Sequence, residues 1–171
     1  MDNLQIENIL TSQLGSVFGG VYPSDMIPPV TKNPHAIVCN TDPHDMAGQH
    51  WVAIYIDESG NCEYFDSFGR QPFVQSISEF LNRETKTWCI NKKRLQGEFS
   101  TVCGQYCIFY LIHRCMGLSM NDIVELFSND FYHNDEMIYE FVASNFHVES
   151  HMYDVDFVLK QICKTLLCVN R

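Results

Sequence analysis

Cys103, His50, Asp66 and Gln96 are the residues of this chain whose types and spacing could do chemistry, and the chemistry would be nucleophilic attack on a carbonyl. Cys103 opens the stretch "CGQYCIFYLIHRC", in which Cys107, Ile108, Leu111 and Cys115 recur at three- and four-residue steps. That spacing predicts a helix that packs its length into the core. A thiol in the first turn of such a helix meets unpaired backbone N–H groups and the positive end of the dipole. Both favour the thiolate, which is the attacking form. Ser100 and Gly104 are small residues at the helix mouth, where other groups can come close. Free cysteine is more often a buried filler, and that is the reading for Cys107 and Cys115, deeper on the apolar stripe.

A thiolate needs a base. Of the seven histidines, His50 stands at the start of "WVAIYID", the segment most apolar on both faces, where a rigid strand would aim the imidazole at a cleft. Its neighbour Trp51 could wall that cleft. Asp66 ends "CEYFD", the strand predicted to pair with it, and could orient the ring; a turn-capping Asp before "SFG" is the competing reading. Negative charge built on the attacked carbonyl needs donors. The Cys103 N–H is one, and Gln96, in "RLQGEFSTVCG", is a second if its loop carries the amide alongside; taken alone it reads as a surface loop residue.

These residues require a frame. Residues 4–14 have loosely helical spacing with Asn3 as a candidate cap, and "GGVYPSDMIPP" (19–29) reads as a loop. Strands are predicted at 35–40, 51–57 and 62–66, the last two as a hairpin about "ESGN", and at 87–91. Pro72 suits the first turn of a helix whose stripe is Phe73, Ile77, Phe80 and Leu81. Further helices are expected from about 102, over 119–127 with Ser119 as cap, at about 135–145 and at 154–168. With strands in the first half and helices flanking them, the class is α+β: a central mixed β-sheet flanked by helices.

The 171 residues are expected to form a single domain, residues 1–171. A net charge of −10 disfavours a phosphate backbone as partner; "KKR" (92–94) reads as the solvated end of a strand and "NDFYHNDE" (129–136) as solvated surface with helix caps. No apolar run reaches the roughly 18 residues that span a bilayer, and "MDNLQIENIL" lacks signal-peptide order. A reducing intracellular setting follows, with the eight cysteines mostly free. The absence of any C-x-x-C pair disfavours a metal; Cys103 and Cys107 would make half a zinc site at most.

The segments "NPHAIVCNTDPHDMAGQHWVAIYID", "CEYFDSFG" and "LQGEFSTVCGQYCIFYL", covering roughly residues 33–117, resemble the adenovirus protease (adenain) family. That family shares a clan with SUMO- and ubiquitin-like-specific proteases. The resemblance implies an α+β fold with the nucleophile at the N-terminus of a buried central helix, and a cysteine endopeptidase. It makes Cys103 the nucleophile, His50 the base, Asp66 the orienting carboxylate and Gln96 an oxyanion donor. It implies protein substrates, capsid or core precursors cut at glycine-containing sites, and a monomer acting in the host nucleus or the assembling virion. No cofactor is required by the sequence. An activating peptide is implied by the resemblance, with Cys89 near the family's disulfide-forming position, while the acidic charge speaks against help from DNA. Shortness relative to adenain and an unmatched "VDFVLKQICKTLLCVNR" imply another virus lineage or a virus-like mobile element. Two alternatives stay open: an isopeptidase acting on ubiquitin-like modifiers through the same four residues, and an inactive peptide-binding module.

Overall fold

The computed structural model describes residues 1–148 and Met152; the helix expected at 154–168 and His151 lie outside the described residues. Helix α1 spans Asn3–Leu14, and a short 3₁₀ turn, Gly15–Val17, leads to strand β1, Phe18–Tyr22. Strands β2 (His35–Asn40), β3 (Trp51–Ile56) and β4 (Asn61–Phe65) follow, then helix α2 (Gln75–Glu84) and strand β5 (Thr87–Ile90). Helices α3 (Cys103–Cys115), α4 (Met120–Glu125) and α5 (Phe131–Phe146) complete the order. The strands form one sheet in sequential order, β1-β2-β3-β4-β5, parallel at the two outer pairings and antiparallel at the two inner ones. The expected α+β class with a central mixed sheet is therefore what the chain adopts.

Strand alternation builds two cores. Ala36, Val38, Ala53 and Phe65 face one way and pack with Ile6, Leu10, Tyr106, Ile108, Leu111, Ile138 and Val142 of the helices. Ile37, Cys39, Val52, Ile54, Ile56 and Tyr64 face the other way, against Ile77, Phe80 and Leu81 of α2. β3 is buried on both faces, so a large-to-Ala change at Ile54 would cost about 2–5 kcal/mol. α3 crosses the first face in the thick of the core, its residues buried from Cys103 through Ile112.

Several expectations need correction. The cap of α1 is Asp2, not Asn3: its carboxylate accepts from Gln5 N–H while the Gln5 side chain answers the Asp2 N–H. The start of "GGVYPSDMIPP" is strand, not loop. Gly19 reads as a turn former, yet it is where the His35 ring lies on the backbone; a Cβ there would come within 2.2 Å of that ring. α2 begins at Gln75 with Val74 as cap, and Phe73 is left 64% exposed instead of joining the stripe. α5 begins at Phe131 rather than near 135, because Asp130 caps it. Cys115 is exposed at the last turn of α3 rather than buried on its apolar stripe.

Candidate active site

The β3–β4 register pairs Ala53 with Phe65. Continued outward, it sets Asp66 opposite Val52 and the turn after it beside His50. The His50 Nε2–H donates to Asp66 Oδ1 at 2.8 Å, with Asp66 fully buried and His50 9% exposed. The same oxygen accepts the Phe68 N–H at 2.8 Å, which pins the turn. Asn91, just past β5, clamps the Asp66 backbone from both sides, accepting its N–H and donating to its carbonyl. Asp66 is thus held by the turn that follows it and by Asn91 before it holds the imidazole.

Cys103 begins α3 with no side chain capping that terminus. Its first-turn N–H groups are therefore left to the site; the sulfur accepts that of Gly104 and, from the start of β3, that of Trp51. His50 also bonds the sulfur, and since Asp66 occupies Nε2, the contact falls to Nδ1. Burial works against a charged sulfur here. The His50 hydrogen bond and charge, with the two backbone donors, overcome it and hold the Cys103 thiol below its ordinary range. Burial likewise opposes an imidazolium at His50, but Asp66 and Cys103 outweigh it and raise the ring to about 9. The pair is set up as thiolate and imidazolium. Cys107, one turn deeper, has only burial and negative neighbours, and its thiol is pushed far up.

Gln96 reaches the same cleft by a different construction. Its segment has no ladder; Leu95 and Gln96 N–H both donate to the Ser67 carbonyl, at 2.8 and 3.1 Å. The Gln96 amide oxygen accepts from the Ser67 hydroxyl at 2.6 Å, and its nitrogen donates to the Ser100 carbonyl and hydroxyl at 2.9 and 3.0 Å. Ser100 in turn bonds Asp135, whose Oδ2 accepts the Gly97 N–H and whose Oδ1 accepts the Tyr106 hydroxyl, each at 3.0 Å. Asn134 Nδ2 donates to the Leu95 carbonyl at 3.0 Å. So α5 grips the loop that bears Gln96. Asn134 and Asp135 are each 1% exposed, which corrects the reading of 129–136 as solvated surface. Their signal was present: Asn134, Ile138 and Val142 recur at helical steps on one buried face.

His50, Trp51, Gln96, Ser100 and Cys103 line a cleft of about 860 Å³. Trp51 is half-buried and its indole edge lies against Gly104, where a Cβ would meet it at 3.3 Å. The cluster "KKR" is not simply solvated: Lys93 donates to the Phe127 carbonyl, and Arg94 Nε donates to the Gln96 carbonyl at 2.8 Å. Cys89 lies apart from the cleft, exposed on the edge strand β5. Among the described residues all six cysteines are free, no cluster of three metal-ligating side chains occurs, and no helix is long and apolar enough to cross a membrane.

A cysteine, an imidazole and a carboxylate hydrogen-bonded in series, with backbone donors at the sulfur, is the constellation of a thiol-dependent acyl-transfer site. No family model matches the chain. Over 104 residues, 54% of this chain, it is 32% identical to a SUMO-1 cysteine protease of African swine fever virus, covering 38% of that protein. It is 30% identical over 99 residues to an Acanthamoeba polyphaga mimivirus protein named for thiol protease activity, covering 52% of this chain and 32% of that one. Among solved structures, the crystal structure of the African swine fever virus protease in selenomethionine form is similar over 70% of this chain and 44% of that one, at 26% identity and a TM-score of 0.43. The chain spans about a third of the length of the curated relatives it matches. These relatives support the relationship to adenain-like cysteine proteases.

Proposed function

We propose that the chain is a cysteine endopeptidase that cleaves structural precursor proteins of a virus or virus-like element at glycine-containing sites. The observation that carries this reading is the hydrogen-bonded series from Asp66 through His50 to the Cys103 sulfur, opening on the cleft. In this reading the Cys103 thiolate attacks the scissile carbonyl carbon, and the carbonyl π electrons move onto oxygen. The Cys103 N–H and the Gln96 amide meet that oxyanion. Gln96 releases one of its two bonds to Ser100 to do so, in keeping with catalytic hydrogen bonds that tighten only when substrate is bound. Collapse of the intermediate breaks the C–N bond, and the His50 imidazolium gives its proton to the leaving nitrogen. Water, deprotonated by His50, then attacks the thioester carbonyl, releasing the carboxylic acid and restoring the thiolate.

Trp51, wedged against Gly104 beside the nucleophile, supports a narrow passage in which a side chain next to the cleaved bond would clash. Capsid or core precursors are the proposed substrates, in the infected cell or the assembling virion. Any activating peptide would join at the exposed Cys89. Hydrolysis of glycine-containing peptides by the wild type, absent in Cys103→Ala, tests the reading. Equal hydrolysis with leucine at the glycine positions would reject the narrow passage.

The name of the African swine fever virus relative favours a second reading, an isopeptidase acting on ubiquitin-like modifiers through the same residues. Electrophilic SUMO and ubiquitin probes discriminate: rapid labelling of Cys103 by either supports this reading, and labelling no faster than by a short glycine peptide probe rejects it.

A further inference from the structure

Phe68 forms the wall of the cleft beside the imidazole, its ring centroid 5.1 Å from that of His50. Two guanidinium groups gather on this one ring. Arg70 Cζ lies 4.7 Å and Arg94 Cζ 5.6 Å from its centroid. Arg94 is also stacked on Phe131 at 4.9 Å, and its Nε is taken by the Gln96 carbonyl, so it is fixed in place. Arg70 is exposed at the rim, near Phe73 and Phe99, which are 64% and 45% exposed. Among the described residues neither arginine forms an ion pair, Arg94 acting on the Asp135 carboxylate only as a nearby charge, although the chain carries 21 acidic residues against 11 basic ones. The acids of the same cleft, Asp42 and Glu98, make no ion pair with them.

Two like charges brought to one ring repel each other, and in a chain with a twofold excess of carboxylates they would ordinarily be neutralised. Without an ion pair at the edge of the cleft, the exposed Arg70 presents a planar donor fork to an incoming anion, the geometry that suits a carboxylate, and Arg94 adds its charge from behind. We propose that the Phe68 wall is a specificity subsite for an acidic side chain of the peptide substrate, bound by Arg70 with Arg94 behind it. This rests on the protease reading and adds a substrate class to it: glycine at the bond, aspartate or glutamate within a few residues of it.

The test is a set of glycine-centred peptides carrying Glu, Gln or Lys in turn at each flanking position. At one position Glu should exceed Lys in kcat/KM by about tenfold in low salt, the discrimination of a partly exposed charged hydrogen bond. That ratio should shrink in 0.5 M sodium chloride, a salt concentration at which the screening length falls to about 4 Å. Arg70→Gln should bring it close to one, and Arg70→Glu should reverse it in favour of Lys. Affinities of the same peptides for Cys103→Ala protein read the subsite independently of turnover. Cleavage with no charge preference at any position, or a preference that survives Arg70→Glu, overturns the subsite and leaves the protease reading standing. Tighter binding of the Glu peptide by a protein that cleaves none of the set keeps the subsite and sinks the protease reading.

Discussion

His50, Asp66 and Cys103 stand at the ends of β3, β4 and α3, whereas Gln96 is carried by the irregular stretch between β5 and α3. The first three inherit their places from backbone hydrogen bonding. The β3–β4 register sets His50 near Asp66, and the packing of α3 across β3 brings the sulfur to the imidazole. Gln96 has no such ladder; beyond two backbone bonds to the Ser67 carbonyl it is held by side chains, Ser67 on one side and Ser100, Tyr106, Asn134 and Asp135 on the other. Backbone pairing tolerates change in most single side chains. A loop held by side chains depends on every one of them, so the two halves of the cleft should fail differently.

The largest effect should come from the backbone-set half. Cys103→Ala or His50→Ala should lower kcat on a glycine peptide by about 10⁴-fold or more, with unfolding temperature little changed. Retained activity in Cys103→Ala would sink the assignment of the nucleophile.

Asp66→Asn should be milder, about 10²–10⁴-fold, and should carry a pH signature. The fold holds His50 protonated to about pH 9, so kcat/KM of the wild type should fall there as the leaving-group acid is lost. Without the carboxylate that limb should move to lower pH. The raised value also ties the ring to stability. Its contribution is complete below the ordinary value of 6.5 and disappears as pH climbs through about 9, which chemical denaturation at pH 6, 8 and 10 would register.

Gln96→Ala should come next, lowering kcat by about 10²-fold if its amide is the proposed oxyanion donor. Asp135→Asn should give the smallest loss of activity, less than about tenfold, with about 1–3 kcal/mol of stability as buried donors lose an acceptor. If loop position is what Asp135 supplies to activity, combining it with Gln96→Ala should add little further loss of kcat. Full additivity would break the comparison drawn between the two halves.

That contrast also decides what could be read in advance. The strands at 35–40, 51–57 and 62–66 and the helix opening at Cys103 follow from local periodicity, and the hairpin alone brings His50 and Asp66 together. Gln96 could be named, but not its anchors, because Asn134 and Asp135 look like ordinary polar residues near a helix start. Only the apolar steps to Ile138 and Val142 mark them as inward-facing. Asn91 falls inside the strand predicted at 87–91, and nothing local marks its grip on Asp66, which crosses 25 residues. β1 is not legible because its two glycines look like a turn unless the His35 ring lying on Gly19 is known.

The bond from Gly97 to Asp135 joins residues 38 apart in the chain, with Cys103 lying between them. During synthesis the thiol and its histidine are therefore made before the residue that anchors the loop beside them. Only when the ribosome has released α5 does that loop acquire its working shape, so a nascent chain gains its sulfur well before it gains a complete site.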